Sequence, residues 1–311
     1  MQNKTSVAIC VATYMRPKRL DDLLESLGKL HHIDGLDINL IIADNDDSAS
    51  AQAIVEKHKQ SFPYPIIYIV EPTRGIAVVR NRLFSEAYAL GSDFIVTIDD
   101  DATADSSWLY ELVKAAQVYD ADAVGGPAFL WVDYPLPDYI SEMLHPFQQS
   151  SGSPVLAIGT GNALFRVAAV RTIEGPFDLR FNLTGGEDTA LSASMVRNGF
   201  RIVWCESAVV REYLPKSRGT IRYYLKRGFT NGMIPSRIVL LYSPTNRRVA
   251  AQFIRALGRL GMSSLQFFIS LPSDRKSMLK HAVGMAYGLG GIFALLLPTM
   301  KKEPYSTIHG E

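Results

Sequence analysis

The chain has 311 residues, of which 47% are hydrophobic and 20% charged, with a formal net charge of +1. These proportions exclude a disordered chain, and the length suffices for one large core or two modest ones. The charge is unevenly divided: residues 211–311 hold 16 of the 32 Lys and Arg but 4 of the 31 acids, so the tail is about +12 and the first 210 residues about −11. A basic segment can meet nucleic acid. Long apolar runs in this one suit an anionic membrane surface better, so the expected partner is the membrane surface and no nucleic acid. Cys10 and Cys205, the only cysteines, each lie in an apolar strand-like run and read as buried thiols of a reducing compartment. A cytoplasmic location is the expectation from these thiols, and since the N-terminus offers no signal peptide, catalysis is expected to face the cytosol.

In chain order, Val7 to Thr13 reads as a strand, and Pro17 opens a helix whose leucines at 20, 23, 24, 27 and 30 are helically spaced. Ile38 to Ala43 is a second strand ending in Asp44-Asn45-Asp46-Asp47, with Ser48 as cap of a helix running to about Gln60. Ile66 to Val70 is a third strand, and Gly75 precedes a helix from about Ala77 to Leu90. The fourth strand, FIVTI from Phe94 to Ile98, runs straight into Asp99, Asp100 and Asp101. Strand and helix alternate four times, which predicts right-handed βαβ units and a mostly parallel sheet covered by helices.

Ligands of such sheets bind at the C-terminal strand ends, where this chain places Thr13, Asp44 and the three consecutive aspartates. Three carboxylates this close need donors or a cation to offset their repulsion. The pair Asp99 and Asp101, on one side of an extended chain, suits a hard divalent ion, Mg²⁺ or Mn²⁺. A solvated acidic turn is the plainer alternative. Neither G-x-G-x-x-G after the first strand nor a G-x-x-x-x-G-K-[ST] loop is present, so neutralisation of a bound diphosphate is expected from a metal ion held by the aspartates.

A helix near Trp108 to Tyr119 and a strand around Asp122 to Gly125 follow, and then prolines at 127, 135, 137, 146 and 154 predict loops. Gly159 and Gly161 in AIGTGNALF allow the backbone to approach a ligand. Thr184-Gly185-Gly186-Glu187-Asp188-Thr189 opens a helix with Asn198-Gly199 as its end and Phe200 to Cys205 as the next strand.

Five motifs in this order, T-Y-x-R-P (Thr13 to Pro17), A-D-N-D (Ala43 to Asp46), R-G-I-A-x-x-R-N (Arg74 to Asn81), D-D-D (Asp99 to Asp101) and G-G-E-D (Gly185 to Asp188), resemble family 2 glycosyltransferases of the GT-A fold. The resemblance covers roughly residues 5 to 230 and is nearest to bacterial glucosyltransferases of succinoglycan-type exopolysaccharide assembly. It implies an α/β, Rossmann-like GT-A domain and an inverting transfer from a UDP-sugar donor. By that resemblance Asp188, with Glu187 alongside, is the base; Asp101 and Asp99 hold the metal. Thr13, Tyr14, Arg16, Asp44, Asn45, Arg80, Asp99 and Asp100 contact the nucleotide sugar, with Asp44 reading uracil. Gly161, Asn162 and Gly186 face the acceptor. Related sequences tend to place a histidine where this chain has Arg211. Arginine cannot ligate a metal, so Arg211 is expected either on the diphosphate or in a surface pair with Glu212.

The run from Arg218 to Arg237 mixes cations with aromatics, and Arg222, Lys226 and Arg227 are candidate pyrophosphate contacts. Ala282 to Met300 carries no charge and, at the short edge of spanning length, reads as membrane-associated, flanked by the apolar run Leu265 to Leu271 and by Lys301 and Lys302; a buried helix is the alternative. The expected organisation is a catalytic domain at 1–235, with a nucleotide-sugar half (1–126) and an acceptor half (127–235), and a basic helical membrane-associated region at 236–311. The expected function is hexose transfer, with glucose as the hexose, to a lipid-linked oligosaccharide at the cytoplasmic face of the inner membrane, the protein being peripheral or monotopic. Transfer to a lipopolysaccharide or capsule acceptor, or a non-catalytic nucleotide-binding or scaffold role, are the alternatives.

Overall fold

Five consecutive buried residues, Val7 to Val11, put strand β1 (Thr5–Thr13) in the middle of a sheet. A computed structural model describes residues 4–144, 147–270 and 275–297; the expectations placed on Pro146, Leu271 and residues 298–302 lie outside them. Helix α1 (Pro17–Leu27) starts on its proline and buries Leu20, Leu23, Leu24 and Leu27. Alternation continues through β2 (Leu36–Asp44), α2 (Gln52–Lys59), β3 (Ile66–Val70), α3 (Ile76–Ala89) and β4 (Phe94–Ile98), the last buried throughout. Then come β5 (Ala102–Ala104), α4 (Trp108–Val118), β6 (Ala123–Gly125), β7 (Ala128–Trp131), α5 (Asp138–Ser141), β8 (Asn162–Arg166), α6 (Val167–Val170), α7 (Glu187–Arg197), β9 (Ile202–Trp204), β10 (Val210–Tyr213), α8 (Ile221–Tyr242), α9 (Asn246–Ser270) and α10 (Arg275–Leu296).

The large sheet has the order β3-β2-β1-β4-β8-β6-β9. Its described pairings are parallel except where β8 runs antiparallel between β4 and β6. The small sheet, β5-β10-β7, begins one residue beyond the aspartates. The three acids therefore mark the place where the chain leaves one sheet for the other. Core side chains cover both faces of the large sheet, with α1 and α4 on one and α3 and α7 on the other.

Three local expectations change. Ser48 does not cap α2, which starts at Gln52; its hydroxyl instead donates to Asp46 Oδ2 at 2.7 Å. The proline-rich stretch contributes β7 to the small sheet as well as loops. The boundary drawn at residue 235 falls inside α8, which runs on through Pro235 to Tyr242.

Helices α8, α9 and α10 pack through small residues. A Cβ on Gly232 would lie 1.9 Å from the Tyr287 carbonyl oxygen, and one on Gly290 the same distance from that of Phe229, so these backbones meet only because both residues are glycine. Ser236 donates to the Gly291 carbonyl at 2.9 Å and accepts from Gln252 Nε2 at 3.2 Å. By length and composition α10 is the one described helix able to cross a membrane.

Candidate active site

Strand β4 ends by fanning its carboxylates apart. Asp100, buried, accepts from the Thr13 hydroxyl at 2.8 Å and from Arg16 Nη1 at 3.0 Å; Asp101 takes the same Arg16 nitrogen at 3.0 Å. Asp99, with 42% of its side chain exposed, receives Arg80 Nη2 at 3.2 Å. The other end of that guanidinium donates to buried Glu187 at the start of α7. Arg80 thus bridges the strand-end acid and the G-G-E-D helix.

Local sequence explains why Arg80 stands there. Helix α3 begins after Gly75, whose φ of 139° suits glycine and whose N–H donates to Asn45 Oδ1 at 2.8 Å. Its first N–H groups are capped from outside, Ala77 and Val78 both donating to Asn182 Oδ1. On the far side, Gly185 (φ 73°) and Gly186 (φ 94°) make two left-handed steps that swing the chain into α7 with both acids in its first turn. Asp188 Oδ1 accepts from the Thr189 N–H and hydroxyl. Its Oδ2 faces Gly159, where an added Cβ would lie 3.8 Å away, while one on Gly161 would lie 2.7 Å from Asp99 Oδ2. The segment 159–161 lies between the two carboxylates, and its glycines leave the cleft open to both.

Burial, opposed by Arg80 and reinforced by Asp188, pushes Glu187 up to about 7. Asp100 rises to about 7 as burial and Asp101 outweigh Arg16. Burial with Asp101 and Asp99 nearby raises Glu212 to about 8.

Several expected contacts fall elsewhere. Asp44 is fully buried, and its oxygens accept from the N–H groups of Asp46 and Ala51 and from the Tyr68 hydroxyl, so it shapes the strand end rather than facing a base. Asn45 is likewise engaged, donating to the Glu71 and Thr73 carbonyls. Buried Asn162 accepts from Trp108 Nε1 and donates to the Pro127 and Ala208 carbonyls; it pins three segments and does not face an acceptor. Gly186 packs against Ile234. Arg211 pairs with Asp105 at the surface, away from the aspartates, because β10 alternates and turns Glu212 inward instead. Arg222, Lys226 and Arg227 are all exposed, and Arg227 also donates to the Tyr223 hydroxyl and lies near Glu212.

Residues missed by sequence reasoning are Glu212, Arg218, which reaches Asp101 at 3.8 Å and Glu212 at 3.9 Å, and Arg74, whose guanidinium lies 4.9 Å over the Tyr14 ring. Period-two alternation opposite Arg211 could have found the first. A cavity of about 550 Å³ lined by Arg19, Lys29, Asp101, Asp105, Trp131 and Tyr213 touches this cluster through Asp101 but includes neither Asp99 nor Asp188.

No three described Asp, Glu, His or Cys side chains converge closely enough to make a metal site by themselves. The donors near Asp101 are nevertheless hard oxygens; Asp100, Asp101 and Glu212 meet the guanidinium groups of Arg16 and Arg218, and Asp99 meets that of Arg80. A divalent cation fits that set by offsetting the burial and mutual repulsion that together raise Asp100 and Glu212, with substrate oxygens completing its shell.

The model of "Glycosyl transferase family 2" matches residues 8–171, spanning every strand-end motif up to β8. The chain belongs to glycosyl transferase family 2. It is a glycosyltransferase, and a second model, "Glycosyl transferase family group 2", matches residues 94–297. Its relatives include the succinoglycan biosynthesis protein ExoM of Rhizobium meliloti (strain 1021), 32% identical over 247 residues that make up 77% of each chain. The abequosyltransferase RfbV of Salmonella typhimurium is 29% identical over 101 residues, 32% of this chain and 30% of that one. Among solved structures, the mannosyltransferase PcManGT from Pyrobaculum calidifontis, in complex with GDP-Man and Mn²⁺, superposes with a TM-score of 0.63 at 16% identity, covering 96% of this family 2 chain and 89% of its own. S. aureus TarS with UDP-GlcNAc gives 0.53 at 12% identity over 96% and 93%. With them comes the GT-A fold that the motifs implied.

Proposed function

We propose that this family 2 enzyme transfers a hexose, glucose, from a UDP-sugar with inversion to a lipid-linked oligosaccharide, in exopolysaccharide assembly at the cytoplasmic face of the inner membrane. The observation that carries the reading is the glycine segment 159–161, with Asp188 Oδ2 on one side and Asp99 Oδ2 on the other. A donor anchored at β4 then presents its anomeric carbon toward α7. The acceptor hydroxyl gives its proton to Asp188 Oδ2, its oxygen bonds to the anomeric carbon, and the bond to the diphosphate breaks on the opposite face, releasing UDP. Thr189 holds the other oxygen of Asp188 and fixes the carboxylate's orientation. Glu187, committed to Arg80, positions that guanidinium rather than taking the proton. Asp101 and Asp99 would hold Mg²⁺ or Mn²⁺, which when bound supplies Lewis-acid stabilisation of the leaving diphosphate. Arg16 and Arg218 hold Asp101 in place. Succinoglycan biosynthesis in the ExoM name supports the polysaccharide assignment.

The test is a screen of UDP-sugars with bacterial lipid extract, read by product mass. One hexose added to a lipid-linked oligosaccharide is the expected result. Transfer to water alone across every extract would refute the acceptor assignment.

A further inference from the structure

Helix α9 is built inside out. The face it turns toward α8 and α10 carries Gln252, Ala256, Ser263 and Ser270, all buried, whereas its outward face carries Ile254 (67% exposed), Leu257, Met262, Leu265 (58%), Phe268 (65%) and Ile269. These large residues recur at helical spacing and form one ridge. In water the arrangement is the reverse of what folding favours, since small polar residues are sequestered and large apolar ones face solvent. Against hydrocarbon it is the expected one, and the glycine contacts that join α9 to α10 through Gly288 and Gly291 are of the kind that hold helices together in lipid.

Charge selects the occupant. Arg248, Arg255 and Arg259 follow one another seven and four residues apart, along one flank of the ridge, and Asn246–Ser270 contains no Asp or Glu. A second copy would bring the same cationic flank to the contact, with no acid on the helix to meet it. An anionic bilayer meets both features, apolar ridge in the acyl boundary and guanidinium groups at the headgroups. We infer that α9 is a membrane-docking helix lying in the interface of an anionic bilayer through its Ile254–Ile269 ridge. This adds to the apolar α10 segment, whose glycines are buried against its neighbours while Leu289 and Leu296 stay exposed, a contact on the helix beside it. The inference rests on the membrane-bound acceptor proposed above. Since α8 begins beside the aspartates and its Ile234 packs on Gly186, docking through α9 sets α7 at a fixed height over the lipid surface.

The experiment uses the full chain with phosphatidylglycerol-containing and pure phosphatidylcholine vesicles, read by flotation. The wild type should float with the anionic vesicles and less with the neutral ones. Leu265→Glu with Phe268→Glu should weaken flotation by at least about tenfold, given the burial of two large side chains, while UDP-sugar hydrolysis stays at the wild-type rate. Unchanged flotation overturns the inference. So does a loss of self-association, seen by light scattering, with vesicle binding intact, which would give the ridge to a second copy. Because the double variant can misfold, Phe268→Trp supplies an independent reading: brominated phosphatidylglycerol should quench it, and fluorescence unaffected by those lipids also overturns docking. If the wild type floats but uses no UDP-sugar, the function proposed above fails and docking stands.

Discussion

Arg80 serves two carboxylates, and removing it leaves Glu187 buried beside Asp188 without a countercharge. Arg80→Met should therefore cost about 3–5 kcal/mol, the usual loss when one partner of a buried pair is deleted, seen as a lower midpoint in denaturant. Adding Glu187→Leu should return most of that stability without returning transfer, because Asp99 has still lost its guanidinium. A single variant as stable as wild type would show the pair to be idle. Asp188→Asn is expected to keep UDP affinity and lose transfer by about 10² to 10⁴, since an amide cannot accept the acceptor proton. Glu187→Gln should be milder in rate; a larger loss there would reverse the roles given to the two acids. UDP affinity, measured by calorimetry, should rise with Mn²⁺ or Mg²⁺ and fall in EDTA, and Asp101→Ala should abolish that dependence. Affinity indifferent to chelation would leave the diphosphate to Arg16 and Arg218.

Helix α8 links the catalytic cleft to the other two helices, and its C-terminal end is fastened through Asp178 and through Arg237, which donates to the Arg180 carbonyl at 3.1 Å. The Tyr242 hydroxyl donates to Asp178, and the Tyr242 ring lies between the guanidinium groups of Arg180 and Arg197, 5.2 and 5.1 Å from its centre. Burial alone would raise Asp178, but hydrogen bonds from Arg180 and Tyr242 outweigh it and pull the group from 3.8 down to about 2. A depressed folded value stabilises above the unfolded value, so this contribution is complete above about pH 4 and disappears as pH falls toward 2. Asp178→Asn should lower the melting temperature at pH 5 and narrow its gap to wild type by pH 2.5; a constant gap would show that the charge is irrelevant. The elements themselves were largely legible in the sequence, because runs such as Phe94 to Ile98 can be satisfied only between two covered faces. The phase of β10 was not. Period two says that Arg211 and Glu212 point opposite ways but not which of them meets the aspartates, and only packing on β5 and β7 decides it. Asp44 and Asn45 were readable as strand-end polar residues. What sequence lacks is whether their lone pairs and N–H groups are already taken, here by residues from 46 to 75.

At the scale of the molecule, the tail does not behave as an appendage. An anchor independent of the catalytic body could be removed from residue 262 onward without harm. Here that deletion strips α10 from Gly228, Gly232 and Ser236 of α8, whose other residues contact Gly186 and whose N-terminal end adjoins the Asp101 cluster. Deleting residues 262–311 is therefore expected to lower the melting temperature and weaken UDP binding as well as vesicle binding. A truncated chain that keeps wild-type UDP affinity and melts normally would restore the detachable anchor. The four glycines between Ala282 and Met300 were visible as composition, but their meaning, close contact with two neighbouring helices, depends on partners that lie from 21 (Ser263 to Gly284) to 61 (Phe229 to Gly290) residues away in the chain.

The Asp99–Arg80–Glu187 bridge also imposes an order in time. Glu187 lies 107 residues after Arg80, so at synthesis rates of about 5–20 residues per second it emerges roughly 5 to 20 s later. During that interval β4, β6 and β8 emerge in turn to join β1 to β3, while β9 has yet to complete the sheet. A nascent chain can thus hold the donor-side acids and the guanidinium with no α7 to close over them. Translation carries the enzyme through a stage in which the donor side is formed before anything that could use it.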